Sequence, residues 1–414
     1  MNLPHGLRAL RHREFRLFFA GQGTSQLGTW LQLIATSWLV YRLSESTFLL
    51  GLAAFAIQIP FLVLAPLAGV LVDRIEPRRM LFVTNSVAAA QASVMFAVVA
   101  LGAVEPWHLI AGNLVLGVAN ACDAPARQAI LIRLVHGKAD LPNAIALNST
   151  MMNGARFIGP MIGGALIATL GEHWGFGLNA LSYFALLAAL WRIGASSSKR
   201  KSSDEGLLRE LAAGARYAWG FLPVRAALLL CAATSMSVGS YVALMPWFAR
   251  EAFHGDSRTL GLLISAAGLG AVSGMAYLAS RPSVRGLLRL IARMSATSGI
   301  ALVAFSFASS LWIALPALYF VGMGLMLTAA STNTVVQTVV PDELRGRLAS
   351  LYVMSFIGVA PIGALAAGAI AERAGPPVTL AACGLAALVA AAVYTSRFEA
   401  IRREIRPVYE KIGL

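Results

Sequence analysis

Residues 47–72 read TFLLGLAAFAIQIPFLVLAPLAGVLV, twenty-six positions without one charge, and then the chain turns abruptly to Asp73-Arg74-Ile-Glu-Pro77-Arg78-Arg79. An apolar stretch of about 20 residues is what a helix needs to cross the hydrocarbon core of a bilayer. The basic cluster behind it marks the face on which such a helix emerges. Outward from this stretch the same alternation repeats, with apolar runs near 15–41, 80–103, 107–126, 143–169 and 174–194. A polar stretch follows, and then runs near 226–249, 259–280, 287–309, 312–334, 348–371 and 377–396. The expected fold is all-α and membrane-embedded, with twelve transmembrane helices in two six-helix bundles.

Composition agrees. Of the 414 residues, 58% are hydrophobic and 13% charged, against about 45–50% and 25% in soluble domains. A water-soluble globular enzyme of this size would need more polar surface. The net charge of +14 invites a nucleic-acid reading until the cations are placed. With the N-terminus in the cytoplasm and the spans alternating, 28 of the 33 Lys and Arg fall on the cytoplasmic side and 4 outside, with Arg156 left inside a span. That asymmetry sets the orientation, both termini inside, and assigns the charge to the anionic inner leaflet, leaving no need for nucleic acid. Cys122, Cys231 and Cys383 lie singly in apolar segments and are read as packing residues, not as a metal or disulfide set.

The halves repeat one another. Thr24-Ser25 recurs as Thr234-Ser235 and Leu-Gly-Leu at 50–52 recurs at 260–262; Phe157-Ile-Gly159 recurs as Phe356-Ile-Gly358, and Gly164-Ala-Leu as Gly363-Ala-Leu. The matches keep their order and their span. Duplicated six-span halves are a transporter architecture. The expected domains are 1–194, a first bundle; 195–225, a cytoplasmic linker with an interfacial helix; 226–396, a second bundle; and 397–414, a cytoplasmic tail.

The loop after the opening stretch, with Gly69, Asp73, Arg74 and Arg78, resembles the signature loop of the major facilitator superfamily. Gly159-Pro160-Met-Ile-Gly163-Gly164 resembles the span 5 motif of its exporter branch, and the pattern as a whole is similar to the drug and siderophore exporters that include the enterobactin exporter and macrolide efflux proteins. The resemblance implies the major facilitator fold, a gating role for Gly69, Asp73, Arg74 and Arg78, and a helix-packing role for Gly159, Pro160, Gly163 and Gly164. One departure stands out. Where the superfamily's span 4 motif has an Arg implicated in proton handling, this chain has Asn113, four residues before Gly117.

From the residues themselves, a charge inside a span is a functional candidate. Arg156 lies near mid-depth, and Asp123 is the one acid found in a span beyond its outermost turn. With Arg127 they form the candidate coupling set, Asp123 expected to alternate between Arg127 and Arg156. Gln22, Gln26 and Thr29, with Trp30 alongside, form a polar stripe on span 1, and Asn148, Asn153 and Arg156 another on span 5. Gln26, Trp30, Gln58, Asn148, Asn153 and Asn333 are the candidate cavity residues. The six histidines fall in loops or at span ends, so no metal site is expected, nor any cofactor. Nothing forms the nucleophile, base or metal constellation of a membrane-embedded enzyme. The expected activity is proton-coupled efflux of small amphipathic organic molecules, of drug or siderophore type, by alternating access. Protons are the coupling ion, and the site of action is the bacterial cytoplasmic membrane, with the chain acting as a monomer. The alternative within this fold is a lipid or lysophospholipid flippase.

Overall fold

The computed structural model describes residues 5–135, 140–194, 215–341 and 344–411, with side chains at all of these except 5, 65–74 and 411. Among the described residues every regular element is helical. A short 3₁₀ turn, His5–Arg11, leads into α1 (Arg13–Ser44), α2 (Thr47–Arg74), α3 (Pro77–Ala100), α4 (Pro106–Arg133), α5 (Leu141–Leu170) and α6 (His173–Arg192). Beyond residue 220 come α7 (Leu222–Ser237), α8 (Tyr241–Trp247), α9 (Ser257–Ala279), α10 (Leu287–Ser306) and α11 (Leu311–Val339). They are followed by α12 (Arg345–Val353), α13 (Ala360–Ala374), α14 (Pro376–Ser396) and the amphipathic α15 (Phe398–Lys411).

Local sequence explains these boundaries. Pro77, Pro106, Pro223 and Pro376 sit in first turns, where a missing N–H is no loss and the fixed φ is already helical. Gly171 and Gly375 follow the ends of α5 and α13 at φ 94° and 82°, a conformation that a side chain would strain. Pro361 has no N–H for the i−4 bond, and the turn before it, Met354–Gly358, winds as a π-helix between α12 and α13. The helices overrun the apolar runs seen in sequence. α4 continues past 126 to Arg133 because its last turns are amphipathic, hiding Ala126, Ile130 and Leu131 while Arg133 stays at the margin.

Among the described residues ten helical segments are long and apolar enough to cross a membrane. α1 and α5 have the length, 32 and 30 residues, but their glutamines, asparagines and arginine lower the hydropathy, and these are the two helices that carry the polar stripes. The whole is consistent with a twelve-helix membrane fold.

Two compact units divide the chain. The first gathers residues 1–45, 56–203 and 254–265, the second 46–55, 204–253 and 266–414. In the first, Phe15, Phe18, Leu81, Leu134, Leu186 and Leu190 bury a core where α1, α3, α4 and α6 meet. Segment 254–265 joins it because Ser257 Oγ donates 3.0 Å to the Gly164 carbonyl and Gly261 lies against Gly164 with no Cβ between them. In the second, Val224, Leu287, Ile291, Val335, Ile401 and Ile405 form the core, so the apolar face of α15 is held on the bundle. Segment 46–55 joins this unit through Glu372 of α13. Its carboxylate accepts from the Thr47 N–H at 2.8 Å, the Phe48 N–H at 3.1 Å, Thr47 Oγ1 at 2.8 Å and Ser46 Oγ at 3.1 Å. A carboxylate on four donors at a helix N-terminus satisfies free N–H groups and complements the helix dipole.

The start of the chain is fastened by one acid. Asp140, whose side chain is 4% exposed, takes His12 Nε2 at 2.8 Å, Arg11 Nη2 at 2.6 Å and Arg8 Nε at 3.4 Å. Beside it, the Ala9 N–H donates 2.9 Å to Asn143 Oδ1. The His12 hydrogen bond, with help from Arg11, holds the Asp140 carboxyl below its ordinary range. A depressed carboxyl stabilises the folded form above its unfolded value, near pH 3.9, and that contribution fades as pH falls through the folded value. The clamp is therefore closed at neutral pH. Asp140→Asn is expected to free the 3₁₀ turn and expose the Arg11 peptide bond to trypsin at pH 7.5. Equal cleavage rates in both proteins would show that the clamp does not hold this segment.

Candidate functional site

Within the first unit, α1, α3, α4, α5 and α6 enclose a cavity of about 230 Å³. α1 contributes Gln22, Ser25, Gln26 and Thr29, three to four residues apart and so on one face. α3 adds Thr84 and Asn85; α4 adds Asn120, Asp123 and Arg127; α5 adds Met152 and α6 adds Tyr183. The volume suits several waters or the polar end of a larger molecule, since a water occupies about 30 Å³ of liquid.

Asp123 is the electrostatic centre. It is 7% exposed, and a charge removed from water must be paired and hydrogen-bonded. Both oxygens are. Asn85 Nδ2 donates 2.8 Å and Thr84 Oγ1 3.2 Å to Oδ1. Arg127 Nε donates 3.0 Å to Oδ2, and its Nη2 approaches the same oxygen. The pair is local, four residues apart on one helical face, while Pro125 between them leaves the Ala121 carbonyl without its i+4 donor.

A second polar group lies deeper along α1. Asn179 Nδ2 donates 2.6 Å to Gln32 Oε1, Gln32 Nε2 donates 2.9 Å to Gln91 Oε1, and Ser182 Oγ donates 3.0 Å to Asn179 Oδ1. These four buried side chains tie α1, α3 and α6 together and adjoin the cavity through Thr29, whose Oγ1 lies 3.5 Å from the Tyr183 hydroxyl. Gly28 permits this approach, because a Cβ there would stand 2.2 Å from Ser182 Oγ and 2.5 Å from Asn179 Oδ1. Sequence reading missed Gln32, Gln91 and Asn179. Gln32 continues the Gln22–Thr29 stripe by one more turn, which is the signal that was there to find.

The other expected residues are distributed as follows. Arg156 is exposed on α5 and makes no hydrogen bond or ion pair with any described residue, Asp123 included; the i,i+4 partner Arg127 is the cation that holds Asp123. Trp30 does not line the cavity: it packs on Gly159, where a Cβ would sit 2.6 Å from its own Cβ. Asn148 is buried with Nδ2 3.8 Å from Met152 Sδ and Oδ1 unpartnered. Asn153 Nδ2 donates 2.8 Å to the Ser149 carbonyl. Gln58 and the second unit's Asn333 are half-buried and are not among the residues lining this cavity. A Cβ added at Gly163 would stand 3.2 Å from the Leu31 Cα, and Gly164 touches the start of α9, with Pro160 giving its carbonyl side to Gly261. Arg78 donates to the Leu190 and Trp191 carbonyls at 2.7 and 3.1 Å, capping the end of α6. Of Gly69, Asp73 and Arg74 only the helical backbone is described, and most of the linker lies outside the described residues. Among the described residues no group of three or more His, Cys, Asp or Glu is placed to hold a metal ion.

Comparison with known proteins places this architecture. The model of the family MFS_3, described as transmembrane secretion effector, matches residues 5–406. The multidrug efflux pump Tap of Mycolicibacterium fortuitum is 26% identical over 378 residues, covering 88% of this chain and 91% of that protein. The enterobactin exporter EntS of Shigella boydii serotype 4 is 25% identical over 387 residues, covering 91% and 90%. The crystal structure of a point variant of the nucleoside transporter NupG superposes with a TM-score of 0.72 at 14% identity, covering 93% of this chain and all of that one. With a family model spanning nearly the whole chain, helices that fit a membrane and a superposition on a solved transporter, this chain belongs to the transmembrane secretion effector family of major facilitator transporters: a multi-pass membrane transporter, not an enzyme.

Proposed function

We propose that the chain is a proton-coupled exporter of small amphipathic organic molecules, working by alternating access in a bacterial cytoplasmic membrane with both termini in the cytoplasm. The relatives named for efflux and export favour the outward direction. The separation of 28 cations from 4 across the alternating spans favours the orientation.

The observation that carries the coupling is the buried Asp123–Arg127 pair at the wall of a polar cavity. Coupling needs a group that gains a proton in one state and loses it in another. With Asp123 ionised, Arg127, Asn85 and Thr84 satisfy it. When a proton arrives, the carboxyl becomes neutral, the attraction to the guanidinium falls away, and Arg127 is free to turn toward the cavity. Loss of the proton restores the pair. The cavity's amides and hydroxyls supply hydrogen bonds in either state, so a substrate group and water can exchange without stranding a polar atom. Gly69, Asp73 and Arg74 are proposed as the cytoplasmic gate.

Proteoliposomes test the reading. The purified protein, with a pH-sensitive dye inside the vesicles, is expected to move an amphipathic fluorescent compound, ethidium or carboxyfluorescein, when a proton gradient is imposed and to move protons in return. Failure to move either compound under the gradient would overturn it.

A further inference from the structure

We propose that Arg156 marks a subsite for an anionic oxygen group of the transported molecule, a carboxylate or its equivalent, at the edge of the first unit's cavity. This rests on the transporter reading above and adds the sign of the charge that the substrate carries.

An arginine at mid-depth in a span is costly unless water or an opposite charge meets it. A structural arginine in that position would be spread over helix carbonyls or an acid. Arg156 has neither: it is exposed, and its guanidinium makes no hydrogen bond or ion pair with any described residue.

Its direction follows from the helix. At 3.6 residues per turn, Arg156 lies about 40° round α5 from Met152 and about 20° from Ser149, with about 6 Å of rise separating it from Met152. Met152 is the α5 residue on the cavity wall. Arg156 therefore stands one turn along the same face, beside the cavity. Lipid would be the least favourable surroundings for it.

Among the described residues lining the cavity there is no spare counter-charge. Asp123 is the one acid among the residues lining the cavity, and both of its oxygens are taken by Arg127, Asn85 and Thr84. The remaining lining residues are neutral amides, hydroxyls and apolar groups. The cavity and its edge thus carry one positive charge in excess. A cationic substrate would meet that charge unscreened; an anionic one would neutralise it. The planar guanidinium fork also matches a carboxylate with two parallel hydrogen bonds, a geometry that a point cation does not offer.

The test uses the full-length protein in nanodiscs at pH 7.5, with carboxyfluorescein and ethidium as fluorescent probes of opposite charge. Wild type is expected to bind carboxyfluorescein at least tenfold more tightly than ethidium, and benzoate, not benzylamine, should displace the bound dye. Arg156→Gln should weaken carboxyfluorescein at least tenfold, Arg156→Lys by less, and Arg156→Glu should turn the preference toward ethidium. The wild-type displacement keeps the proposal testable should a variant fail to fold. Preference for ethidium, displacement by benzylamine, or a preference unchanged in folded Arg156→Glu would overturn the proposal and leave the exporter reading standing. Binding of neither dye would count against the substrate class on which both rest.

Discussion

Asp123→Asn is expected to abolish proton-driven transport and to lower stability at the same time. The carboxamide keeps an oxygen for Asn85 and Thr84 but loses the charge, leaving Arg127, with a side chain only 15% exposed, without its partner. Removing one member of a buried pair costs about 3–5 kcal/mol. Asn also has no carboxyl to titrate. The two effects separate in the double variant Asp123→Asn/Arg127→Gln, which removes the stranded charge. It should recover most of the thermal stability lost by the single variant, as read by unfolding in detergent, and none of the proton coupling. Recovery of coupled transport along with stability would make the pair a structural tie only.

Gly164→Val is expected to leave insertion intact and to stop transport almost completely. A Cβ on Gly164 would stand 2.3 Å from the Ser257 carbonyl oxygen and 3.1 Å from the Gly261 Cα. Backbone has no rotamer to change, so the seam between α5 and the first turns of α9 must part, with loss of the 3.0 Å Ser257–Gly164 bond. Overpacking of this kind typically costs about 1–3 kcal/mol. The control is Gly154→Ala on the same helix, where nothing lies within 4 Å; it should transport as wild type. Near-normal transport in Gly164→Val would mean that the close approach is not needed.

Much of this was legible in the sequence because solvent decides it. Membrane helices are long and apolar, and the run from Thr47 to Val72 announces one without any knowledge of its neighbours. The polar stripe on α1 was equally visible, since Gln22, Gln26 and Thr29 keep helical spacing in an otherwise apolar run, and all three line the cavity. Partners across helices were not. Nothing local distinguishes Gln91 or Asn179 from a tolerated lone amide; only the fold brings them to Gln32. The Asp140 clamp closes over 128 residues of chain from His12, and Glu372 reaches Thr47 across 325. Trp30 reads as a cavity aromatic, and only the fold sets it against Gly159. Asp123 stays with Arg127 because an i,i+4 pair needs no long-range closure, whereas Arg156 sits on another helix.

The most direct test is substrate-dependent proton flux in proteoliposomes carrying a pH-sensitive dye, measured side by side for wild type and Asp123→Asn/Arg127→Gln. The account predicts that adding the transported compound moves protons through the wild type and none through the double variant, at equal protein content. Equal proton flux through the two proteins would contradict it.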